Sequence, residues 1–329
     1  MLNIVVLPVN KNPILRTYHY LAFPISIITA YNEEQKFPLI LNRYINCSYI
    51  LEKDDLNIDD NDWMLLGSGI FDGQYFMIDP KVVSDKALDI ISLFKCMIDN
   101  GYYVLGHFDE YYISCKEVYK KHHFDHDYLL YGYDEAKSEF LSIGYTGTMT
   151  KYSEFRIGYE ELFEASKNIP GEKLNINLVK LNTDFKYNID IISIKNQLKD
   201  YLNSESQFFR NSVERLYGYN AVKKLINRIN NELKINSDID LRGIRALYEL
   251  KNLMFVRLDY LKREGYIKID DNKLNEYYKF VLFLKSFFKM CIEYNTERKN
   301  VFLNNNINKL KSIIDEEYDY LNSIYNLLS

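Results

Sequence analysis

The sequence predicts an α+β protein whose N-terminal half contains an antiparallel sheet and whose C-terminal half is an all-α helical bundle. Two patterns carry this prediction. Strand-like runs lie between residues 102 and 143, whereas beyond about residue 187 the apolar residues recur at helical spacing. A chain of 329 residues is long enough for two domains, which we place at residues 1–185 and 186–329.

The N-terminal half combines one clear helix with three strand-like runs. The helix covers residues 84–99, and one of its faces is apolar (Ala87, Ile90, Ile91, Phe94 and Ile98). It ends at Asn100-Gly101, since glycine tolerates the positive φ found at helix ends. The strand-like runs follow at residues 102–113, 128–133 and 139–143, and residues 134–138 join the last two as a hairpin.

The C-terminal half shows four apolar stripes at helical spacing, within residues 222–233, 241–261, 274–291 and 307–328. Each stripe has to be buried, and the short polar links between them favour antiparallel neighbours. The sequence therefore predicts a helical bundle. The exposed side of this bundle could bind either a partner protein or a second copy of the chain in a homodimer, and the sequence does not decide between them.

Composition excludes several function classes. The formal net charge of -5 gives no basis for binding nucleic acid, and no apolar stretch is long enough to span a bilayer. The start of the chain resembles a first strand rather than a signal peptide. Cys47, Cys96, Cys115 and Cys291 are far apart and form no CxxC pair, which predicts free thiols in the cytoplasm. No motif predicts a cofactor.

Four of the five histidines lie between residues 107 and 126, and the densest block is residues 122–127, HHFDHD. A histidine at the mouth of a buried strand suits acid/base catalysis. A metal site is a second interpretation, although neighbouring side chains of an extended segment point to opposite sides and cannot all face one ion. A solvated loop before the strand is the third. Sequence alone leaves all three open.

Residues 100–134 resemble the core pattern of the butirosin biosynthesis protein H family. The match consists of G-x-x-V at Gly101–Val104, D-x-Y-Y at Asp109–Tyr112, H-x-x-H at His123–His126, and an apolar strand that ends in YGYD at Tyr131–Asp134. The resemblance implies a papain-like N-terminal domain similar to bacteriocin-leader cysteine peptidases. It also implies acyl transfer, in natural-product biosynthesis of the nonribosomal-peptide or aminoglycoside type. The acyl group would pass from the phosphopantetheine thioester of a carrier protein to a small amine, through a cysteine nucleophile and a histidine base.

Carried over residue by residue, the family pattern places the catalytic histidine at His126 and the first histidine of H-x-x-H at His123. The nucleophile belongs near residues 17–24, where the chain has His19 and no cysteine. The acidic residue that orients the histidine falls on Gly144.

We therefore predict His126 and Cys47 as catalytic residues and His19, His123 and Asp109 as substrate-binding residues. Cys47 either approaches the site from a neighbouring element or is a small buried hydrophobe. Asp109, Asp125 or Asp127 would orient His126. The alternative function is a catalytically inactive relative that binds a carrier protein, a peptide intermediate or a partner enzyme.

Overall fold

The computed structural model describes residues 4–31, 33–58, 69–84, 88–146, 151–170, 173–184, 186–206, 214–298 and 301–328. It confirms the α+β class, with about 50% helix and 21% strand. The chain forms two compact units. Unit 1 comprises Met1–Lys36 and Asp62–Lys186, and unit 2 comprises Phe37–Asn61 and Tyr187–Ser329. No helix of the described ranges is both long and apolar enough to cross a membrane.

The described strands are β1 (Ile4–Val6), β2 (Cys47–Ile50), β3 (Asp55–Ile58), β4 (Phe71–Ile78), β5 (Tyr103–Asp109), β6 (Asp125–Asp134), β7 (Glu139–Tyr145), β8 (Tyr152–Gly158), β9 (Leu174–Leu181) and β10 (Arg215–Tyr217). The helices are α1 (His19–Ile28), α2 (Glu33–Leu41), α3 (Pro80–Ser84), α4 (Ile90–Asp99), α5 (Tyr159–Lys167), α6 (Ile191–Asn203), α7 (Gly218–Lys234), α8 (Leu241–Arg263), α9 (Asp271–Glu297) and α10 (Val301–Tyr325). A short 3-10 turn, Glu110–Tyr112, follows β5.

Unit 1 is built on an antiparallel seven-stranded sheet with the order β4-β9-β5-β6-β7-β8, and β1 also pairs with β6. The predicted hairpin is present as β6 and β7. Apolar side chains of α4 and α5 join those of the sheet in one core, among them Phe94, Leu162, Phe108 and Phe140. The predicted helix begins later than expected, at Ile90, where the side chain of Asp89 caps it. Ala87 lies outside the described residues.

The predicted helix end is confirmed in detail. The backbone N–H of Asn100 donates to the Cys96 carbonyl, and Gly101 adopts a φ of 83°. This left-handed conformation is one that glycine adopts without a steric penalty. It turns the chain from α4 into β5, the strand that leads to the histidine block.

Gly132 in β6 allows a close approach of β1, and we expect Gly132→Ala to destabilise the protein by about 1–3 kcal/mol. A Cβ atom at this position would lie 2.5 Å from the Val5 carbonyl oxygen, which is backbone and cannot rotate away. Urea denaturation measures the loss. Gly73→Ala in β4 is the matched control, because its Cβ would meet nothing closer than 3.7 Å. Equal losses for the two variants would contradict this explanation.

Unit 2 contains the predicted helices, and the four apolar stripes lie in α7, α8, α9 and α10. It also contains a small antiparallel sheet with the order β10-β2-β3, so the second half is not purely helical. Strands β2 and β3 come from residues 47–58, which the sequence analysis assigned to the first domain. They join unit 2 because β2 pairs with β10, a strand far along the chain.

Arg257 of α8 holds the segment that precedes β2. Its side chain is fully buried. The Nε atom donates to the Leu41 carbonyl at 2.6 Å, and Nη2 donates to the Arg43 carbonyl. Burial lowers the pKa of Arg257 to about 9. Because the buried guanidinium donates its hydrogen bonds to backbone carbonyls, it fixes the position of this segment in unit 2.

Candidate functional site

The site of interest lies at the end of β5 and the beginning of β6 in unit 1. The two strands pair with Phe108 opposite His126 and Asp109 opposite Asp125. Asp109 is fully buried and accepts hydrogen bonds from the backbone N–H groups of Tyr111, at 3.1 Å, and Phe124, at 3.0 Å. These bonds fix the 3-10 turn that follows β5. The turn places Glu110 beside the start of β6.

His126 and Glu110 form a hydrogen-bonded pair. The distance from His126 Nδ1 to Glu110 Oε1 is 2.8 Å, and the side chains are 33% and 8% exposed, respectively. An imidazole whose Nδ1 faces a carboxylate keeps its proton on that nitrogen, which leaves the lone pair of the neutral ring on Nε2. His126 is therefore a partly exposed base that a buried carboxylate orients.

Glu110 is the centre of a buried polar network. Its Oε1 atom also lies 3.0 Å from Lys116 Nζ and 3.1 Å from the Tyr128 hydroxyl, and the Lys116 side chain is 2% exposed. Burial raises the pKa of Glu110, but the hydrogen bond with His126 and the charge of Lys116 outweigh burial and hold the pKa below its usual value. Glu110 is consequently a carboxylate at neutral pH.

His19 begins α1 and packs beside His126, with 4.8 Å between the ring centroids. It also stacks on Phe23 at 4.6 Å. The side chain is buried, and neither ring nitrogen has a hydrogen-bond partner among the described residues. Burial, followed by the charges of His126 and Lys116, lowers the pKa of His19 to about 3. His19 is therefore neutral at pH 7.

Two other histidines pair with the aspartates that the sequence analysis offered as partners of His126. His123 Nδ1 lies 2.6 Å from Asp109 Oδ2, and the His123 side chain is 54% exposed. His107 Nε2 lies 2.7 Å from Asp127. Hydrogen bonds with Asp125 and Asp127 raise the pKa of His107 to about 10. Glu110 thus orients His126, and the three aspartates serve the neighbouring histidines and the turn.

Gly144 of β7 occupies the position where the family resemblance places the orienting acid. A Cβ atom there would lie 3.1 Å from His19 Nε2. The position therefore faces the His19 ring. The carboxylate comes instead from Glu110 in the turn after β5, and no local pattern in the sequence indicates Glu110 for that role.

Cys47, the predicted nucleophile, belongs to unit 2, whereas the histidine cluster belongs to unit 1. It lies in β2 of unit 2, its side chain is fully buried, and its thiol donates to the Gly218 carbonyl at 3.6 Å. A thiol without solvent access cannot attack a substrate from solution, so we replace this assignment with a structural role in the core of unit 2. Among the other cysteines, burial raises the pKa of Cys115 to about 11, and Cys96 lies exposed on α4.

No protein-family model and no curated protein sequence matches this chain. The resemblance to the butirosin biosynthesis protein H family therefore stays a prediction, carried by the motifs of residues 100–134. The geometry of the site stands independently of it.

The arrangement suits proton transfer. His126 is partly exposed and its Nε2 atom has no hydrogen-bond partner among the described residues, Glu110 fixes its tautomer, and Lys116 keeps Glu110 ionised. Within the described parts of the chain, no group of three or more His, Cys, Asp or Glu side chains has the geometry to hold a metal ion. The Glu110–His126 pair makes the candidate chemistry that of a histidine base.

We expect His19→Phe to make the protein less sensitive to mild acid. The pKa of His19 is about 3 in the folded protein and 6.5 in the unfolded chain. Between pH 3 and pH 6.5 the unfolded chain therefore binds a proton at His19 that the folded protein does not bind. The contribution of His19 to the free energy of unfolding is fully present above pH 6.5. It falls toward pH 3 by about 1.4 kcal/mol per pH unit. Phenylalanine keeps the stacking and removes this loss.

Urea denaturation at pH 7, 6 and 5 tests the expectation. The difference in stability between wild type and His19→Phe should change in favour of the variant as the pH falls. His122→Gln, which alters an exposed histidine, is the control and should follow the wild type. Parallel pH dependence of wild type and His19→Phe would contradict the assignment of a buried neutral imidazole.

Proposed function

We propose that unit 1 is a papain-like acyltransferase domain that uses His126 as a general base and needs no thiol nucleophile. Its substrates are the phosphopantetheine thioester of a carrier protein and a small amine. The Glu110–His126 pair, with 2.8 Å between its hydrogen-bonded atoms, is the observation that carries this proposal. The reaction class comes from the resemblance of residues 100–134 to the butirosin biosynthesis protein H family, which also suggests a natural-product pathway in the cytoplasm.

The proposed reaction is a single displacement. The amine nitrogen attacks the thioester carbonyl carbon, and Nε2 of His126 takes a proton from that nitrogen. The carbon–nitrogen bond forms, the carbon–sulfur bond breaks, and the imidazolium returns the proton to the leaving sulfur. The products are an amide and the free carrier thiol. General-base assistance of this kind contributes roughly 10²–10⁴-fold to the rate.

A mechanism without an acyl-enzyme fits the burial of three of the four cysteines, Cys47, Cys115 and Cys291, which are buried or partly buried. Cys47 and Cys291 are fully buried, and burial raises the pKa of both Cys115 and Cys291. The thiolate is the nucleophilic form of cysteine, so a raised pKa suppresses attack. The attacking nucleophile of the proposed reaction is the substrate amine itself.

The proposal is tested with butyryl-N-acetylcysteamine as the thioester and 1,4-diaminobutane as the amine. Mass spectrometry should detect the amide, and a thiol reagent should detect free N-acetylcysteamine at the same rate. Release of thiol no faster than in buffer would count against the proposal.

We expect Cys47→Ala to retain the rate of amide formation to within about twofold, because its thiol is confined to the core of unit 2. The variant should lose some stability, which the urea midpoint reports. Loss of amide formation in a Cys47→Ala protein that remains folded would restore Cys47 as the nucleophile.

A second candidate function is a non-catalytic binder of a carrier protein, a peptide intermediate or a partner enzyme. His19 favours it, because a neutral, stacked imidazole occupies the place where the resemblance expects the nucleophile. This candidate predicts that acyl-pantetheine binds without release of thiol. It also predicts that His126→Gln leaves that binding unchanged.

A further inference from the structure

A cavity of unit 1 borders the 3-10 turn that carries Glu110. It has a volume of about 250 Å³ and is lined by the rings of Tyr111, Tyr112 and Tyr119. Carboxylates of α5 complete the wall, from Glu160, Glu161 and Glu164. Aromatic faces together with carboxylates form an environment that favours a cation.

One of these carboxylates is not used by the fold. Glu161 accepts the backbone N–H groups of Gly158, at 3.1 Å, and Ser114, at 3.2 Å. Glu164 pairs with Lys167 at 2.5 Å. Glu160 is exposed and makes no hydrogen bond or ion pair among the described residues. It is therefore available to a ligand at no cost to the structure.

An ammonium group already contacts the aromatic wall from within the protein. Lys120 lines the cavity, and its Nζ atom lies 5.0 Å from the centre of the Tyr119 ring. The backbone holds Lys120 in place, since its N–H donates to the Tyr111 carbonyl at 3.0 Å and its φ is 53°. This contact has the geometry of a cation–π interaction. The contact of Lys120 thus indicates that the aromatic wall of the cavity favours an ammonium group.

We infer that this cavity binds the alkylammonium group of a small polyamine. The inference rests on the proposed function in one respect, namely that the bound polyamine is the acceptor of the acyl group. Tyr111 connects the cavity to the histidine cluster, because it follows Glu110 in the same turn and its ring stacks on His123 at 4.5 Å. A molecule with two amines can leave one ammonium in the cavity and present the other amine for acylation.

The binding step is tested on the full chain with 1,4-diaminobutane, by calorimetric titration at low ionic strength and without thioester. The diamine should bind saturably, and the neutral analogue 1,4-butanediol should not. Glu160→Gln should weaken binding about two- to fivefold. Tyr119→Leu should weaken it about two- to fivefold, because the leucine lacks the aromatic face. Lys120→Met should tighten it by a similar factor, because it removes a competing ammonium.

Glu117→Gln is the matched control. Glu117 precedes Tyr119 in the same loop, is exposed and does not line the cavity, so it tests the effect of net charge alone. Equal weakening by Glu117→Gln and Glu160→Gln, or binding of the diol as tight as that of the diamine, would overturn the inference. The titration contains no thioester. Intact diamine binding without amide formation would therefore count against the proposed reaction and not against the cavity.

Discussion

His126→Gln should lower the rate of amide formation by about 10²–10⁴-fold, the usual contribution of a positioned general base. Glutamine is similar in size and polarity but cannot accept a proton at neutral pH. Because the chemistry is lost and substrate binding is not, the effect should appear in kcat more than in KM. Initial rates with butyryl-N-acetylcysteamine and 1,4-diaminobutane measure both parameters.

The control for this variant is His122→Gln, which alters an exposed histidine of the same block and should retain the wild-type rate. Circular dichroism establishes that both proteins are folded. A His126→Gln protein as active as wild type, or an equal loss in both variants, would show that His126 is not the base.

Glu110→Gln should lower the free energy of unfolding by about 3–5 kcal/mol, which is the usual cost of removing one partner from a buried ion pair. Glu110 and Lys116 are 8% and 2% exposed, so the substitution leaves the Lys116 amine buried with no carboxylate beside it. Burial already lowers the pKa of Lys116 against the opposing effect of Glu110. Urea denaturation of wild type and variant measures the difference.

A double substitution separates the charge effect from simple loss of packing. Removal of both buried charges is often nearly neutral, so Glu110→Gln combined with Lys116→Met should be more stable than Glu110→Gln alone. If the cost of the double variant equals the sum of the two single costs, Glu110 and Lys116 do not interact as described.

The sequence predicted those parts of the fold that local patterns determine. The apolar stripes placed the helices of unit 2, and Asn100-Gly101 placed the end of α4. The sequence did not reveal β2, β3 and β10, because β2 pairs with β10 far along the chain, and β2 and β3 form a hairpin of only four residues per strand. A short strand stabilised by such a distant partner leaves little local periodicity.

The candidate site could also be predicted only in part, because the pairing of its side chains depends on contacts that local sequence patterns do not show. The histidine block identified His126, and His123 with Asp109 lies close by. The sequence offered Asp109, Asp125 and Asp127 as partners of His126, and no local pattern pointed to Glu110, which is adjacent to Asp109 in the chain. The geometry of the 3-10 turn decides the partner, since Asp109 binds His123 and Glu110 binds His126. Cys47 was misassigned because its burial depends on the sheet of unit 2.

The central claim is that the acyl group passes directly to the amine, with His126 as the base. Initial rates measured while thioester and amine concentrations are both varied test it most directly. Direct transfer predicts double-reciprocal lines that intersect, and an unchanged protein mass after incubation with thioester alone. Parallel lines together with a protein that gains one butyryl group would contradict the claim, because both are signs of a covalent acyl-enzyme.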